Sequence, residues 1–207
     1  GLKEERSRSF NASVDWYHYF GDFQANLLVE GFYTKLSDPF VLTPPVKDPD
    51  GSAYLIQTRI NGSGAKVYGG TLEGKVAYKD KVQLQAGLTL QRSIYDSPEE
   101  WSADEEHLSE KERYSDKILR TPDVYGYFTA TYMPVKAFSI ALNGNYTGRM
   151  YVPHLLSEVN GEADVLVKSP DFFELGTKIA YDFDFQGFCL QLNAGVQTVS
   201  YTHLTLP

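Results

Sequence analysis

The sequence is poor in several things, and each shortage narrows what the chain can be. It has one cysteine, Cys189, which excludes an internal disulfide and any multi-cysteine metal site. Its simplest role is that of a small strand residue. No stretch approaches the run of about 18 apolar residues that a membrane helix needs. Mean hydropathy is −0.34, so a bundle of membrane helices is excluded. A membrane β-barrel is not, because a barrel gives only alternate residues to lipid and its hydropathy signal is weak. Basic residues are outnumbered, 19 against 27 acidic ones, and the net charge of −8 without a basic cluster argues against a nucleic-acid partner. Tryptophan is scarce at 2 residues, yet 15 Tyr, 12 Phe and 17 Gly suit strands and turns better than helices.

What the chain does have is a period of two. In Lys81–Leu90, Val82, Leu84, Ala86, Leu88 and Leu90 alternate with Gln83, Gln85, Gly87 and Thr89. Successive side chains of a strand point to opposite faces, so this is a strand with one apolar and one polar side. About ten residues, tilted by roughly 45°, suffice to cross a bilayer.

The pattern recurs along the chain. Strands are expected at Ser9–Phe20, Phe23–Leu36, Ala65–Lys79, Lys81–Tyr95, Pro122–Tyr132, Ala137–Gly148, Asp171–Phe183 and Phe188–Gln197, with a shorter one at Tyr54–Ile60. Short turns fall near 21, 80, 134 and 185, of which Gly21-Asp22 is typical of hairpins. Long connections fill 37–64, 96–121 and 149–170, and the second carries nine acidic and three basic residues over Asp96–Lys117. A helical turn is expected near Ser109–Tyr114. Every long connection lies at one end, the asymmetry of an outer-membrane barrel with short periplasmic turns and long extracellular loops.

The aromatics follow the same frame. Tyr19, Phe20, Phe23, Tyr78, Tyr132, Phe138, Phe183, Phe185 and Phe188 gather at the short-turn end. Tyr33, Tyr68, Tyr125, Tyr146 and Phe173 lie toward the other. Tyr68 and Tyr78 share a face ten residues apart, which at about 3.4 Å per residue and a tilt near 40° spans roughly 25 Å, the height of an apolar band between aromatic girdles. The expected fold is all-β: an antiparallel up-and-down transmembrane barrel, incomplete, with about eight long strands in an open curved sheet.

Several stretches resemble the C-terminal half of the barrel in TonB-dependent outer-membrane receptors of Bacteroidetes-like Gram-negative bacteria. They are G-F-Y-T-K-L-S-D-P-F-V-L-T (31–43), N-G-S-G-A-K-V-Y-G-G-T-L-E (61–73) and L-Q-A-G-L-T-L-Q-R-S-I-Y (84–95). Further on come L-R-T-P-D-V-Y-G-Y-F-T (119–129), G-N-Y-T-G-R-M-Y-V-P-H (144–154) and L-Q-L-N-A-G-V-Q (190–197). The resemblance implies a cell outer membrane location, a partner TonB complex acting through an N-terminal plug and TonB box, and active uptake of a scarce solute such as an iron chelate, haem or cobalamin. It also implies that residues 1–197 are part of a larger barrel. The chain starts without an initiator Met, and Val199–Pro207 resembles the translation of a DNA-library adapter, so 198–207 is expected to be foreign to the domain.

Candidate binding residues fall into two groups. Asp15, Glu30, Glu73, Lys75 and Asn143 point inward, where they could line a solute path, hold a plug, or simply be a wetted barrel wall. Tyr54, Arg59, Trp101, Tyr114, Arg149, Tyr151 and His154 offer stacking faces and charge in the long loops, where binding residues favour a rigid scaffold beneath them; ordinary loop packing is the plainer account of each. Asp48-Pro49-Asp50-Gly51 lacks the further ligands and the sixth-position Gly of a calcium loop, and reads as a turn. Asn61–Gly64 lacks the Lys-Ser/Thr and helix of a phosphate loop. The acidic 96–116 run could bind divalent ions between lipopolysaccharides or be a solvated loop. His18, His107 and His154 are scattered and form no catalytic constellation, so no catalytic residue, metal site or cofactor is expected. Outer-membrane lipid and lipopolysaccharide are expected neighbours. A passive porin-like or structural barrel remains the alternative function, and a barrel enzyme the third.

Overall fold

A computed structural model of the chain describes residues 1–48, 50 and 55–200. The strands in chain order begin with β1 (Arg6–Phe20), β2 (Phe23–Ser37), β3 (Phe40–Leu42), β4 (Val46–Lys47), β5 (Leu55–Ile56) and β6 (Arg59–Asn61). They continue with β7 (Ala65–Tyr78), β8 (Val82–Glu100), β9 (Tyr114–Lys117), β10 (Val124–Val135) and β11 (Phe138–Thr147). The last are β12 (Tyr151–His154), β13 (Val165–Lys168), β14 (Phe172–Phe185) and β15 (Phe188–Ser200), with a single helical turn, α1 (Ser157–Asn160), before β13.

The eight long strands form one antiparallel sheet in the order β1-β2-β7-β8-β10-β11-β14-β15, and β9 adds to β8 above β10. Among the described residues β1 and β15 do not pair with each other, so the sheet is unclosed, as the sequence implied. Each long strand pairs with its neighbours in sequence. The hairpin turns are tight because Gly21 and Gly187 take positive φ, which costs a glycine nothing. Lys79 does the same at φ 47°; its N–H donates to Asp22 O at 3.0 Å, and its ammonium meets the Asp22 carboxylate at 2.9 Å.

Register sorts the two faces. Residues directly opposite on paired strands share a face. One rung runs Val14, Val29, Leu72, Leu88, Gly126, Tyr146 and Phe173. Its neighbour along the strands, one residue over, runs Ser13, Glu30, Thr71, Thr89, Tyr125 and Thr147. The apolar face is the open one: Val14, Leu72 and Leu88 are 70%, 52% and 45% exposed, whereas Thr89 and Ser93 on the polar face are 7% and 6%. A flat sheet would expose both alike, so the polar face is the concave one. This is the reverse of a water-soluble sheet, which turns its apolar residues inward.

The girdle expected at the short-turn end is built from ring contacts: Phe23–Tyr78 at 4.6 Å, Tyr181–Phe183 at 4.6 Å and Phe185–Phe188 at 4.8 Å between centroids. Tyr19 at this end pairs with Gln24, and Tyr125 toward the other end pairs with Thr89, so both stand on the polar face at the expected heights.

The long connections are more ordered than their sequence suggests. The expected strand at Tyr54–Ile60 is two short pieces, β5 and β6, paired within the loop to β4 and β3 and not to the main sheet; Tyr54 lies outside the described residues. Residues 151–168 hold the hairpin β12–β13. The expected turn near Ser109 is present as a hydrogen-bonded turn and not as a helix, with Arg113 N–H donating to Ser109 O at 3.2 Å. It is capped by Glu112, whose carboxylate accepts from Ser109 N–H at 3.0 Å and Oγ–H at 2.6 Å, half of a capping box. At the far end the ladder was expected to stop at Gln197, but Thr198, Val199 and Ser200 continue it against Leu175, Glu174 and Phe173. A sheet edge offers unpaired backbone groups to whatever sequence follows, so pairing alone extends the strand.

Candidate functional site

The concave face carries two hydrogen-bonded sets of polar side chains, one across β1 and β2 and one across β7, β8 and β10. Tyr17 Oη donates to Asp15 Oδ2 at 2.9 Å, and Asn26 donates to the same carboxylate. Lys75 Nζ meets Glu73 Oε1 at 3.0 Å, Tyr127 Oη donates to Glu73, and Gln85 Nε2 donates to Tyr127 Oη at 2.7 Å. Register sets this up: Asn26, Lys75, Gln85, Thr129 and Asn143 are one rung, and Glu73, Gly87 and Tyr127 the next. Gly87 is what lets the ring lie flat, since a Cβ there would stand 2.6 Å from Tyr127 Cε1.

Of the expected inward residues, the structure joins Glu73 and Lys75 directly and ties Asp15 to their neighbour Asn26. Glu30 and Asn143 share the face but not these bonds. Asn143 faces Gly176, where a Cβ would come within 2.8 Å of its Oδ1. Tyr127 and Gln85 complete the second set, although the sequence alone does not single them out. The alternation Tyr125, Tyr127, Thr129, Thr131 already places Tyr127 on the polar face.

Above the sheet, two long connections are knotted together. Ser102 is fully buried, and Asp104 and Asp164 are 5% and 4% exposed. Ser102 Oγ donates to Asp164 Oδ2 at 2.7 Å, and Asp164 N–H donates to Asp104 Oδ2 at 3.0 Å. Asp164 Oδ1 accepts the N–H groups of Leu156 at 2.7 Å and Ser157 at 2.8 Å. His107 Nδ1 lies 2.9 Å from Asp104 Oδ1. Burial would raise the Asp104 pKa, but the Asp164 N–H and the His107 ring outweigh it and hold the carboxyl below its usual range. The hydrogen bond to Asp104 raises His107 against the opposing effect of desolvation.

Beside this knot, a cavity of about 720 Å³ among the long connections has apolar walls from Phe40, Leu42, Ile60, Tyr95 and Trp101 and carries both signs of charge, Lys117 and Arg120 with Glu99 and Glu100. A shallower groove of about 810 Å³ runs past Tyr114, Lys117, Tyr151 and Leu166.

The loop candidates fare differently. Trp101 is 9% exposed and its Nε1–H donates to Glu112 O at 2.8 Å, so the ring is anchored in the loop and reaches the cavity as wall. Tyr114 and Tyr151 both line the groove. Lys117 Nζ stands 4.7 Å and Lys168 Nζ 5.8 Å from the Tyr151 ring centroid, so that ring already holds cations. Arg149 Nε donates to Asp171 Oδ1 at 2.7 Å, and this pair raises the guanidinium and lowers the carboxyl. His154 ends β12 opposite Val165, half-buried, and Arg59 lies exposed in β6 opposite Leu42. Among the described residues no group of three or more His, Cys, Asp or Glu could hold a metal ion.

An unclosed antiparallel sheet with an exposed apolar face, a polar concave face and all long loops at one end is a section of barrel wall. The chain belongs to the TonB-dependent receptor family: its sequence matches the model "TonB dependent receptor-like, beta-barrel" over residues 1–199. Members of that family are receptors and transporters of the Gram-negative outer membrane. Among solved structures, the FrpB iron transporter from Neisseria meningitidis (F3-3 variant) is similar at 15% identity and a TM-score of 0.50, over 87% of this chain and 25% of that one. The Pseudomonas putida toluene transporter TodX is similar at 12% identity and a TM-score of 0.42, over 98% of this chain and 57% of that one. The chain thus spans a quarter of the iron transporter's length. No curated protein matches by sequence.

Proposed function

We propose that the chain is part of an outer-membrane receptor for TonB-dependent active uptake of a scarce solute, and that the solute is captured in the loop cavity. One observation carries the reading: the second and third long connections are locked by buried hydrogen bonds at one end of the sheet, beside a cavity of about 720 Å³ whose apolar walls also carry Lys117, Arg120, Glu99 and Glu100. That volume and mixed lining suit a compact ligand with an apolar body and several polar groups, a description that an iron chelate, a haem and a cobalamin share. The polar concave face below supports a wetted interior, against which a plug could seat on Asp15, Glu73 and Lys75.

The test is uptake of radiolabelled ferric chelate, haem and cobalamin by a Gram-negative host expressing the protein, with and without a working TonB complex. Uptake of one ligand that vanishes without TonB and weakens in Arg120→Ala supports the proposal. Uptake that persists without TonB makes the protein a passive channel instead.

A further inference from the structure

The polar face carries a hollow of its own at the short-turn end, away from the loop cavity. Register builds it from two rungs. Tyr17, Asn26, Lys75, Gln85 and Thr129 stand directly opposite one another across β1, β2, β7, β8 and β10. Two residues nearer the turns, Tyr19, Gln24, Ala77, Gln83 and Thr131 form the next rung. Both rungs line a cavity of about 370 Å³. Ala77 makes the dent, a lone methyl between the longer Gln24 and Gln83 on the adjoining strands. Two rungs on five strands make a slot of about 7 Å by 19 Å.

The hollow is polar but offers no free charge. Among its lining residues Lys75 alone is permanently charged, and its ammonium turns to Glu73 at 3.0 Å. His18, between the two tyrosines, stacks with Trp16 and Phe20 on the other face. Asp15 and Glu73 belong to the rung above, and both are already accepting, Asp15 from Tyr17 Oη and Asn26, Glu73 from Tyr127. By contrast, the side chains of Tyr19, Gln24, Gln83, Thr129 and Thr131 make no hydrogen bond among the described residues. Each of these five can both donate and accept.

We propose that this hollow binds a short neutral oligosaccharide. Sugar hydroxyls also donate and accept, so they match a grid of amides and hydroxyls that carries no fixed order of roles. The rings of Tyr17 and Tyr19, 65% and 69% exposed, add flat apolar faces for the C–H side of a pyranose. An anion would meet only a lysine that is already paired, and a cation only carboxylates that are already accepting. An extended peptide pairs through its backbone with a sheet edge, whereas this is a sheet face. The volume falls within the range of small-molecule pockets. The site needs neither the loop ligand nor TonB, so it stands or falls apart from the capture proposed above.

The experiment titrates maltotriose into the protein, purified in a detergent without a sugar headgroup, by isothermal calorimetry. Saturation-transfer NMR from the tyrosine rings reads the contact. Maltotriose should bind, with transfer to its ring C–H protons. Gln24→Ala and Gln83→Ala should each weaken binding by about tenfold. Ala77→Phe, which fills the hollow, should abolish it, and Thr147→Ala, higher on the same face, should leave it unchanged. Citrate and trialanine should not compete. Absence of maltotriose binding, wild-type affinity in both Gln variants, or a preference for citrate or trialanine would each overturn the site. Circular dichroism separates a filled hollow from a misfolded Ala77→Phe chain, and the two Gln variants decide the matter without it.

Discussion

Ser102 and Asp164, 62 positions apart in sequence, share a 2.7 Å hydrogen bond, and both are buried, at 0% and 4% exposed. Asp164 also accepts two backbone N–H groups, so it is the point at which the second and third long connections become one body. Asp164→Ala should leave Ser102 Oγ and the N–H groups of Leu156 and Ser157 without their acceptor. A buried unsatisfied group costs about 1–3 kcal/mol, enough to open the loops without unfolding the sheet. Limited proteolysis should cut the variant within 155–165 while hydrogen exchange in β7 and β8 stays slow. Unchanged loop protection would refute the knot.

The same knot has a pH window. His107 has its pKa raised from 6.5, so its contribution is full below 6.5 and is lost as pH rises through the higher folded value. Asp104 has its pKa lowered from 3.8, so its contribution is present above 3.8 and is lost as pH falls through the lower folded value. Loop protection should therefore be greatest at mildly acid pH and decline on the alkaline side. His107→Gln should abolish the alkaline decline, and an NMR titration of the His107 ring should show its upward shift.

Gly87 and Tyr127 make a third test. In Gly87→Val the new side chain must push the ring aside, breaking the bonds from Tyr127 to Glu73 and from Gln85 to Tyr127. Overpacking of this kind costs about 1–3 kcal/mol. Tyr127→Phe, which removes the hydroxyl without a clash, should cost about 1 kcal/mol. Thermal unfolding in detergent should rank wild type above Tyr127→Phe above Gly87→Val.

The apolar face can be tested against depth. Leu72 lies between Tyr68 and Tyr78 and is 52% exposed. If lipid covers it, Leu72→Arg should cost about 2–4 kcal/mol, as Arg does at the bilayer midplane of a barrel. Thr71→Arg, on the polar face, should cost much less. Refolding into vesicles under urea would measure both, and equal costs would count against a lipid-facing surface.

These comparisons also show what the sequence could tell. The eight long strands and their faces were legible because alternation is local: a run such as Val82–Leu90 declares both faces within ten residues. The short turns were legible for the same reason. The loops were not, because their order comes from pairings without period, such as Phe40–Leu42 against Arg59–Asn61. For Trp101 the sequence left ligand stacking and loop packing both open, and only the fold reveals that Glu112 O accepts its N–H. Ser102 and Asp164 carried no local sign of each other. Phe32, an aromatic on an otherwise polar face, makes sense only once Gly69 is seen beneath it, where a Cβ would stand 2.9 Å from its Cζ.

Every pairing among the eight long strands joins sequence neighbours. Such a wall is in effect one-dimensional, each hairpin bonded only to the one before and the one after it. A finished hairpin presents the edge on which the next can zip, but the pairings of β2 with β7, β8 with β10 and β11 with β14 must first close the long connections, which slows those steps relative to the tight hairpins. The Ser102–Asp164 bond, by contrast, cannot form until β10 through β13 have taken their places, so the loop cavity should be the last part of the molecule to assemble.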